Sequence, residues 1–204
     1  MTQMMPRLKR KGEATRAAIL ESALESASAH GLEGLTIGSL AEQIGMSKSG
    51  VFSHFGSREE LQIAVIKLYH HRFEQEIFYP SLQEARGLPR LKSMFRLWIH
   101  RVSQEIALGC IYISGAIEYD DRQGIIRDEL VKMVTAWQDA LKRAVLQAVE
   151  LQHLQKSTNP EQLIYEIHGI ILSLHHDIRF LKKPNSLQYA NIAFERMINS
   201  YLSK

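Results

Sequence analysis

Cysteine is nearly absent from this sequence: only Cys110 occurs among the 204 residues. A single cysteine cannot form a disulfide framework within the chain and cannot by itself build a cysteine metal site. The chain also lacks an apolar run of about 18 residues, the length that indicates a membrane-spanning helix. Its first residues show no apolar segment typical of a secretion signal. We therefore expect a soluble cytoplasmic protein that does not bind membranes.

Motifs that carry catalytic chemistry are also missing. The sequence has no glycine-rich phosphate loop, no G-x-S-x-G motif and no zinc-ligand spacing. The carboxylate pair at 120–121 falls in a polar loop, where solvation explains it. The histidine pairs at 70–71 and 175–176 do not converge on a metal, because neighbouring helical residues point about 100° apart. We expect no enzyme, no cofactor and no metal site, and Cys110 is expected to be buried rather than redox-active.

Helical periodicity is what the sequence has instead. Hydrophobic residues make up 45% of the chain, enough for one or two globular cores, and no strand-like alternation interrupts them. Beyond Pro80, helices are predicted over about 89–107, 110–119, 125–155, 160–182 and 186–202. The strongest start signal is Asn159-Pro160, which combines a capping side chain with proline in the first helical turn. The predicted fold class is all-α.

Residues 36–55 predict two short helices joined by a tight turn. Ile37, Leu40, Ala41 and Ile44 have the i, i+3, i+4, i+7 spacing of one buried helical face. Gly45 follows at the position of a left-handed helix end, and two residues later a serine can cap the next helix. This arrangement is a helix-turn-helix.

The second short helix points small polar and basic groups outward. Val51 and Phe55 face inward, whereas Lys48, Ser49, Gly50, Phe52 and Ser53 surround its start and opposite face. Such a helix can enter the DNA major groove, which is about 12 Å wide, with its N-terminal residues against base edges. The alternative is an ordinary helical hairpin whose outward residues only keep the surface hydrated.

The hairpin is embedded in a longer pattern between Thr15 and about Tyr69. Its parts are AILESA at 18–23, Gly31, LTI at 35–37, LA at 40–41, GMSKSG at 45–50, FSHF at 52–55 and SREEL at 57–61. In order and spacing this pattern resembles the DNA-binding domain of the TetR family of bacterial transcriptional regulators. The remaining two thirds of the chain resembles the family only as an all-helical domain of suitable length.

The resemblance implies contacts with an operator on double-stranded DNA. Lys48, His54 and Arg58 match positions that touch the DNA backbone, and three further residues, Ser49, Gly50 and Ser53, match positions that approach bases. Together with caps and nearby basic residues, the predicted DNA-binding set is Thr36, Ser47, Lys48, Ser49, Gly50, Phe52, Ser53, His54, Arg58, Arg10 and Lys11.

Two residues depart from the family pattern. Phe52 replaces a tyrosine whose hydroxyl often binds phosphate. Gly50 replaces a commoner threonine, which removes a methyl and a hydroxyl that could read a base and slightly weakens the helix. The operator sequence therefore cannot be inferred by analogy.

The chain is predicted to divide into three segments. A basic arm over 1–12 carries Arg7, Lys9, Arg10 and Lys11 ahead of the first helix, where it could neutralise phosphates or simply be a solvated tail. The three-helix DNA-binding domain follows over 13–58, with a capping box at 57–60 that opens a connector helix over 57–79. A helical ligand-binding and dimerisation domain then occupies 80–204.

The predicted helix from Pro160 is apolar on more than one face, so it must be covered from two sides. A second copy of the chain would supply this cover, and the resemblance implies pairing of the last two helices into a four-helix bundle; a monomeric core is the alternative. The predicted dimer residues are Ile164, Ile171, Ile178, Tyr189, Ile192, Ala193, Met197 and Tyr201.

A small-molecule effector is implied by the resemblance, in a pocket inside the second domain. Aromatic and apolar stripes suggest where it binds, although such stripes are more often core, and a histidine could supply a polar tip that titrates near neutral pH. The predicted pocket residues are Phe95, Trp98, Ile99, Val102, Met133, Trp137, Leu141, His168, Leu172 and His175.

We interpret the chain as a TetR-like, homodimeric transcriptional repressor that a small hydrophobic or amphipathic effector releases from a palindromic operator. Two alternatives remain open at this point: a helical protein-interaction module that does not read DNA, and a transcriptional activator of the same fold.

Overall fold

A computed structural model describes residues 7–104 and 109–203, with the side chains of 7–10 excepted. These residues form ten α-helices and two π-helical turns, as the all-α prediction requires. The helices are α1 Arg7–His30, α2 Ile37–Gln43, α3 Lys48–Phe55, α4 Arg58–Phe73, α5 Tyr79–Ser81, α6 Leu88–Gln104, α7 Ile111–Glu118, α8 Ile125–Glu150, α9 Pro160–His175 and α10 Ser186–Tyr201. The π turns are Glu74–Phe78 and His176–Phe180.

The N-terminal domain is held by three capped helix starts. Thr36, Ser47 and Ser57 each accept a hydrogen bond through their side-chain oxygen from a backbone N–H three residues on, at 3.0, 3.1 and 3.0 Å. Gly45 has φ +66°, the left-handed conformation predicted at the end of α2. The helix-turn-helix prediction is confirmed to within one residue at each helix end.

The first helix begins earlier than the sequence suggested. Because α1 starts at Arg7, residues 7–12 form its first turns, and the predicted basic arm ahead of the helix is wrong over these residues. Arginine, leucine and lysine, which fill 7–11, are all good helix formers. The remainder of the predicted arm, 1–6, and the side chain of Arg10 lie outside the described residues.

A connector of α4, a π turn and α5 joins the N-terminal domain to the body. Its buried positions recur every four residues: Leu61, Val65, Tyr69, Phe73, Ile77 and Ser81. In a regular α-helix each step of four rotates the side chain by about 40°, so the series would leave the core. In the π turn each hydrogen bond spans five residues instead of four, so the turn holds one extra residue. This extra residue cancels the rotation and brings Ile77 and Ser81 back to the core face.

The body packs α6, α7, α8 and α9 around the end of the connector. Aromatic rings fill its centre, with Phe73 4.9 Å from Trp137 and 5.4 Å from Tyr112 between ring centroids. The last helix, α10, covers α6 and α9, and its Phe194 stacks on Phe95 at 3.7 Å. In the part of the chain that the structure describes, no helix is both long and apolar enough to cross a membrane.

Candidate nucleic-acid interface and regulatory cavity

The outward face of α3 is held rigidly and carries no acidic residue. Val51 and Phe55 are buried beneath it, while Phe52 on the opposite side is 53% exposed. The Ser53 hydroxyl donates to the Gly50 carbonyl at 2.7 Å, and the helix start is fixed by its serine cap. The outward face of α3 therefore presents one large exposed ring among small polar groups on a fixed helix.

Lys48 reaches across the turn between the two short helices. A side-chain carbon built on Gly38 would lie 3.2 Å from its Cε and 3.5 Å from its Nζ, so the lysine stem runs along the start of α2. Thr36 and Lys48 are both exposed and flank this glycine. The ammonium group is thereby presented beside the N-termini of α2 and α3, where helix dipoles also favour an anion.

Arg58 makes contacts that the sequence did not predict. Its Nε donates to the Leu35 carbonyl at 3.0 Å, and its Nη2 donates to the Glu33 carbonyl at 2.5 Å. The same Nη2 lies 3.3 Å from the Glu33 carboxylate. The guanidinium therefore fixes the loop before α2 while the Arg58 side chain remains 40% exposed, and the phosphate contact that the resemblance implies for it stays a prediction.

Arg16 is a further residue of this domain that sequence reasoning missed. Its guanidinium lies 4.7 Å above the Phe55 ring, and its Nε donates to the His54 carbonyl at 3.4 Å. The contact ties α1 to the end of α3. Its spacing of 38 residues from His54 left no local signal in the sequence.

A polar cluster, the Glu33 latch, connects the N-terminal domain to the body. Tyr119 donates through its hydroxyl to Glu33 Oε1 at 2.8 Å, and Arg122 lies 2.7 Å from the same oxygen. The Glu33 backbone N–H in turn donates to Glu118 at 3.0 Å. Gln62 of α4 completes the cluster by donating to the Leu32 carbonyl at 2.6 Å and to the Tyr119 hydroxyl at 3.3 Å.

Ionisation in the Glu33 latch follows from these contacts. The hydrogen bond from Tyr119 has the largest effect, and together with the contacts of Arg122 and Arg58 it holds the pKa of Glu33 below its ordinary value, although burial, the second-largest effect, acts to raise it. Burial, followed by the neighbouring Glu33 carboxylate, raises the pKa of Tyr119 to about 12. The acceptor is thus ionised and the donor protonated at neutral pH.

The predicted pocket residues lie mainly in the packed core. Seven of them are at most 3% exposed and pack within the core. Of these, Trp137 borders a cavity described below, whereas the other six border none of the cavities described below and were predicted from an apolar stripe that belongs to the core. These seven are Phe95, Trp98, Ile99, Val102, Met133, Trp137 and Leu141.

The three remaining predicted pocket residues lie on α9. His168 stacks on Trp98 at 5.9 Å and, with Leu172, borders a shallow apolar depression of about 260 Å³. Burial lowers the pKa of His168. Burial also lowers the pKa of His175, and the nearby charges of Arg179 and His176 lower it further. Both shifts favour neutral rings at pH 7. Among the described residues, no group of three or more metal-ligating side chains converges.

A cavity of about 350 Å³ opens between the connector, α6 and α8, and we call it the side cavity. Its walls combine aromatic and aliphatic groups with several polar ones. The lining residues are His70, Phe73, Glu74, Phe78, Leu82, Arg90, Met94, Ala136, Trp137, Ala140, Arg143, Ala144 and Gln147.

Exposed apolar side chains concentrate on α9, its π turn and α10. Tyr165 is 76% exposed and Phe180 is 75% exposed, and a groove of about 600 Å³ runs between the two helices. Of the predicted dimer residues, Tyr189, Ile192 and Ala193 are exposed, and Ile178, Met197 and Tyr201 are half-buried. The prediction of a dimer contact is wrong for Ile164 and Ile171, which are 6% and 0% exposed because they face the protomer's own core.

Two family models match the chain. The model described as bacterial regulatory proteins, tetR family, matches residues 19–65, and the model described as the tetracyclin repressor-like C-terminal domain matches residues 87–194. A curated relative, the HTH-type transcriptional repressor AcnR of Corynebacterium efficiens, is 40% identical over 75 residues. That match spans 36% of this chain and 40% of the relative's length.

Solved structures share the fold across nearly the whole chain. A TetR transcriptional regulator from Chloroflexus aurantiacus superposes with a TM-score of 0.85 at 19% identity, covering 95% of this chain and 98% of the other. AibR, solved in complex with isovaleryl coenzyme A and operator DNA, superposes with a TM-score of 0.68 at 21% identity, covering 92% and 97%. At these identities the likeness concerns the fold.

Proposed function

The chain belongs to the TetR family of bacterial regulatory proteins, and from this premise we propose that it is a homodimeric, sequence-specific DNA-binding repressor that a small molecule releases from its operator. The observation that carries the proposal is the outward face of α3. This face is fixed by a cap and a buried core, is free of acidic residues, and exposes Phe52 among small polar groups.

The proposed DNA contacts divide by chemistry. Lys48 and the exposed N-termini of α2 and α3, with Thr36 and Ser47, bind phosphates and position the helix. The base edges are read by Ser49, Gly50 and Ser53, with Phe52 in apolar contact. His54, Arg10 and Lys11 add contacts with the backbone, whereas Arg58 acts as a positioning residue through the loop before α2.

Dimerisation is proposed through α9 and α10. Pairing would cover the exposed apolar residues there, among them Tyr165, Phe180 and Tyr189, which are 59% to 76% exposed. A two-fold dimer presents its two α3 helices to half-sites about 34 to 36 Å apart, which predicts a palindromic operator.

An effector is proposed to bind in the body. AibR, which shares the fold, was solved with both a coenzyme A thioester and operator DNA. In this chain the side cavity borders the connector helix that begins beside α3, so a ligand there can change the orientation of α3 if it binds the two states with different affinities.

The first experiment selects binding sites from a random duplex pool with the purified chain. We expect one palindrome with half-sites a helical turn apart. Lys48→Ala should weaken binding to all duplexes and reduce by about 1 the slope of the logarithm of the binding constant against the logarithm of the salt concentration. The control is Lys67→Ala, which replaces an exposed lysine of α4 and should leave both the affinity and the slope unchanged. Folded dimer that enriches no sequence, or equal effects of the two variants, would favour the protein-interaction alternative.

The dimer is tested by sedimentation of Phe180→Asp and of Leu146→Asp, an exposed apolar residue of α8 that serves as the control. We expect the first variant to shift the chain towards monomer and the second to leave it dimeric. A monomeric parent chain, or a dimer unaffected by Phe180→Asp, contradicts this interface.

A further inference from the structure

The side cavity is bordered by buried polar atoms that have no protein partner. His70 Nδ1, Arg90 Nε, Trp137 Nε1 and Gln147 Oε1 are all buried without a hydrogen bond among the described residues. All four side chains line this one cavity. Buried polar atoms in proteins are nearly always hydrogen-bonded, so the three unsatisfied nitrogens around one space indicate a place for an acceptor group of a ligand, whereas Gln147 Oε1 is itself an acceptor and requires a donor.

The charges around the side cavity favour an anion. Arg90 and Arg143 bring two guanidinium groups to its wall, whereas Glu74 is the single carboxylate there and lies 3.7 Å from His70 Nε2. Arg90 is held in place because its Nη2 donates to the Glu84 carbonyl at 3.1 Å, and its buried Nε has no hydrogen-bond partner among the described residues. Arginine is the residue best suited to bind a carboxylate.

The rest of the wall is apolar, and the space is small. Phe73, Phe78, Leu82, Met94 and three alanines of α8 form an aromatic and aliphatic surface. A volume of about 350 Å³ is near the lower end of the range for small-molecule sites, roughly 300 to 1,000 Å³. The cavity therefore suits a compact molecule rather than an enclosed coenzyme conjugate.

We propose that the side cavity binds a small organic acid with an apolar body, and that this acid is the effector. Its carboxylate accepts hydrogen bonds from Arg90 Nε and Trp137 Nε1, and Arg143 adds a second positive charge. The apolar body packs against Phe73 and Phe78. The proposal rests on the proposed regulatory function and specifies the chemical class of its ligand.

The position of the cavity explains how binding could reach the DNA-binding domain. His70, Phe73 and Glu74 belong to the end of α4 and the start of its π turn, and the first residue of the same helix, Arg58, holds the loop before α2. A ligand that pulls on the π turn therefore acts on a helix whose other end positions the helix-turn-helix. π turns inside α-helices occur frequently at functional sites.

The test measures ligand binding by the full chain, without DNA, using titration calorimetry. The probes are 3-phenylpropanoate and octanoate, with 3-phenylpropanamide and 3-phenylpropylamine as neutral and cationic counterparts. We expect at least one carboxylate to bind about tenfold or more tightly than the amide and the amine. Equal binding of the amide or amine, or no carboxylate binding at about 1 mM, overturns the proposal.

Matched variants locate the site. Arg143→Gln, on an exposed side chain that need not affect folding, and Arg90→Gln should each lower carboxylate affinity by about tenfold. Arg127→Gln, on the same helix as Arg143 and outside the cavity lining, should change it by less than about twofold. Carboxylate binding that survives Arg143→Gln unchanged overturns the assignment.

A spectroscopic readout separates this site from others. The chain has two tryptophans, so Trp98→Phe leaves Trp137 as the only reporter, and its fluorescence should change with carboxylate binding. DNA binding is scored separately. Lys48-dependent operator binding without carboxylate binding refutes only the ligand proposal. Selective carboxylate binding without operator binding supports the binding site but refutes the regulatory function and, with it, the role of the acid as effector.

Discussion

Breaking the Glu33 latch should cost stability in a way that depends on both of its partners. We consider Glu33→Gln, which removes the charge, Tyr119→Phe, which removes the hydroxyl donor, and the double variant. The hydroxyl and the carboxylate are 2.8 Å apart, and Arg58 and Arg122 contact the same carboxylate.

The magnitude follows from the kind of bond and its exposure. Hydrogen bonds to charged groups contribute roughly 1.5 to 3 kcal/mol when shielded, but the Glu33 side chain is 40% exposed, so solvent screening reduces the effect. We expect Glu33→Gln to lower the free energy of unfolding by about 1 to 2 kcal/mol, or roughly 2 to 8 °C in Tm for a chain of this size. The two substitutions should couple by about 1 kcal/mol.

The assay is urea unfolding at one protein concentration, followed at several pH values. Because the folded-state pKa of Glu33 is lowered, its contribution is fully present above the unfolded pKa of about 4.3 and is lost as pH falls through the folded value. The difference between wild type and Glu33→Gln should therefore shrink as the pH falls below the unfolded pKa of about 4.3.

A matched control is Glu42→Gln, an exposed carboxylate of α2, which should change stability by less than about 0.5 kcal/mol. Fully additive effects of Glu33→Gln and Tyr119→Phe would refute the coupling. A stability difference that stays constant through the acidic range would refute the role of the Glu33 charge.

Three further substitutions test separate parts of the fold. Gly31→Ala should destabilise by about 1 to 3 kcal/mol in thermal unfolding, since the residue has φ +83° and an added carbon would collide with Glu118; an unchanged Tm contradicts this. Ser47→Ala should cost about 1 kcal/mol through loss of the α3 cap, with equal stability as the refuting result. Phe194→Ala should cost about 3 to 5 kcal/mol because it removes the stack with Phe95, and a loss below about 1 kcal/mol would mean that the site repacks.

The N-terminal helices could be predicted because their signals are local. Caps at Ser47 and Ser57 and the left-handed Gly45 each act within four residues, and the structure has all three at the predicted places. The body helices were predicted for the same reason, although α8 ends at Glu150, five residues before the predicted end.

Contacts between distant residues left no such signal. Tyr119 and Glu33 are 86 residues apart, and nothing in either neighbourhood indicates that they meet. The same holds for the contact of Arg58 with the loop before α2. Family resemblance predicted that this side chain contacts DNA and gave no indication of its hydrogen bonds to that loop.

Periodicity identified apolar faces but could not say what covers them. Phe95 and Ile99 lie on one helical face, from which a pocket wall was predicted. They belong to the core instead, because Phe194 of α10 and neighbouring side chains fill the space next to them. On α9 two apolar faces were predicted correctly, but Ile164 and Ile171 lie on the face turned to the protomer and Tyr165 on the other. Assigning each face requires the positions of the neighbouring helices.

The π turn at Glu74–Phe78 also affects how the connector can change in length during evolution. A π turn contains one residue more than a regular α-helical turn, so deleting one residue there restores ordinary pairing and leaves both flanking helices in phase. The same deletion between Leu61 and Phe73 would rotate one end by about 100° relative to the other. The connector can therefore gain or lose a residue at the π turn while the DNA-binding helices keep their orientation on the body.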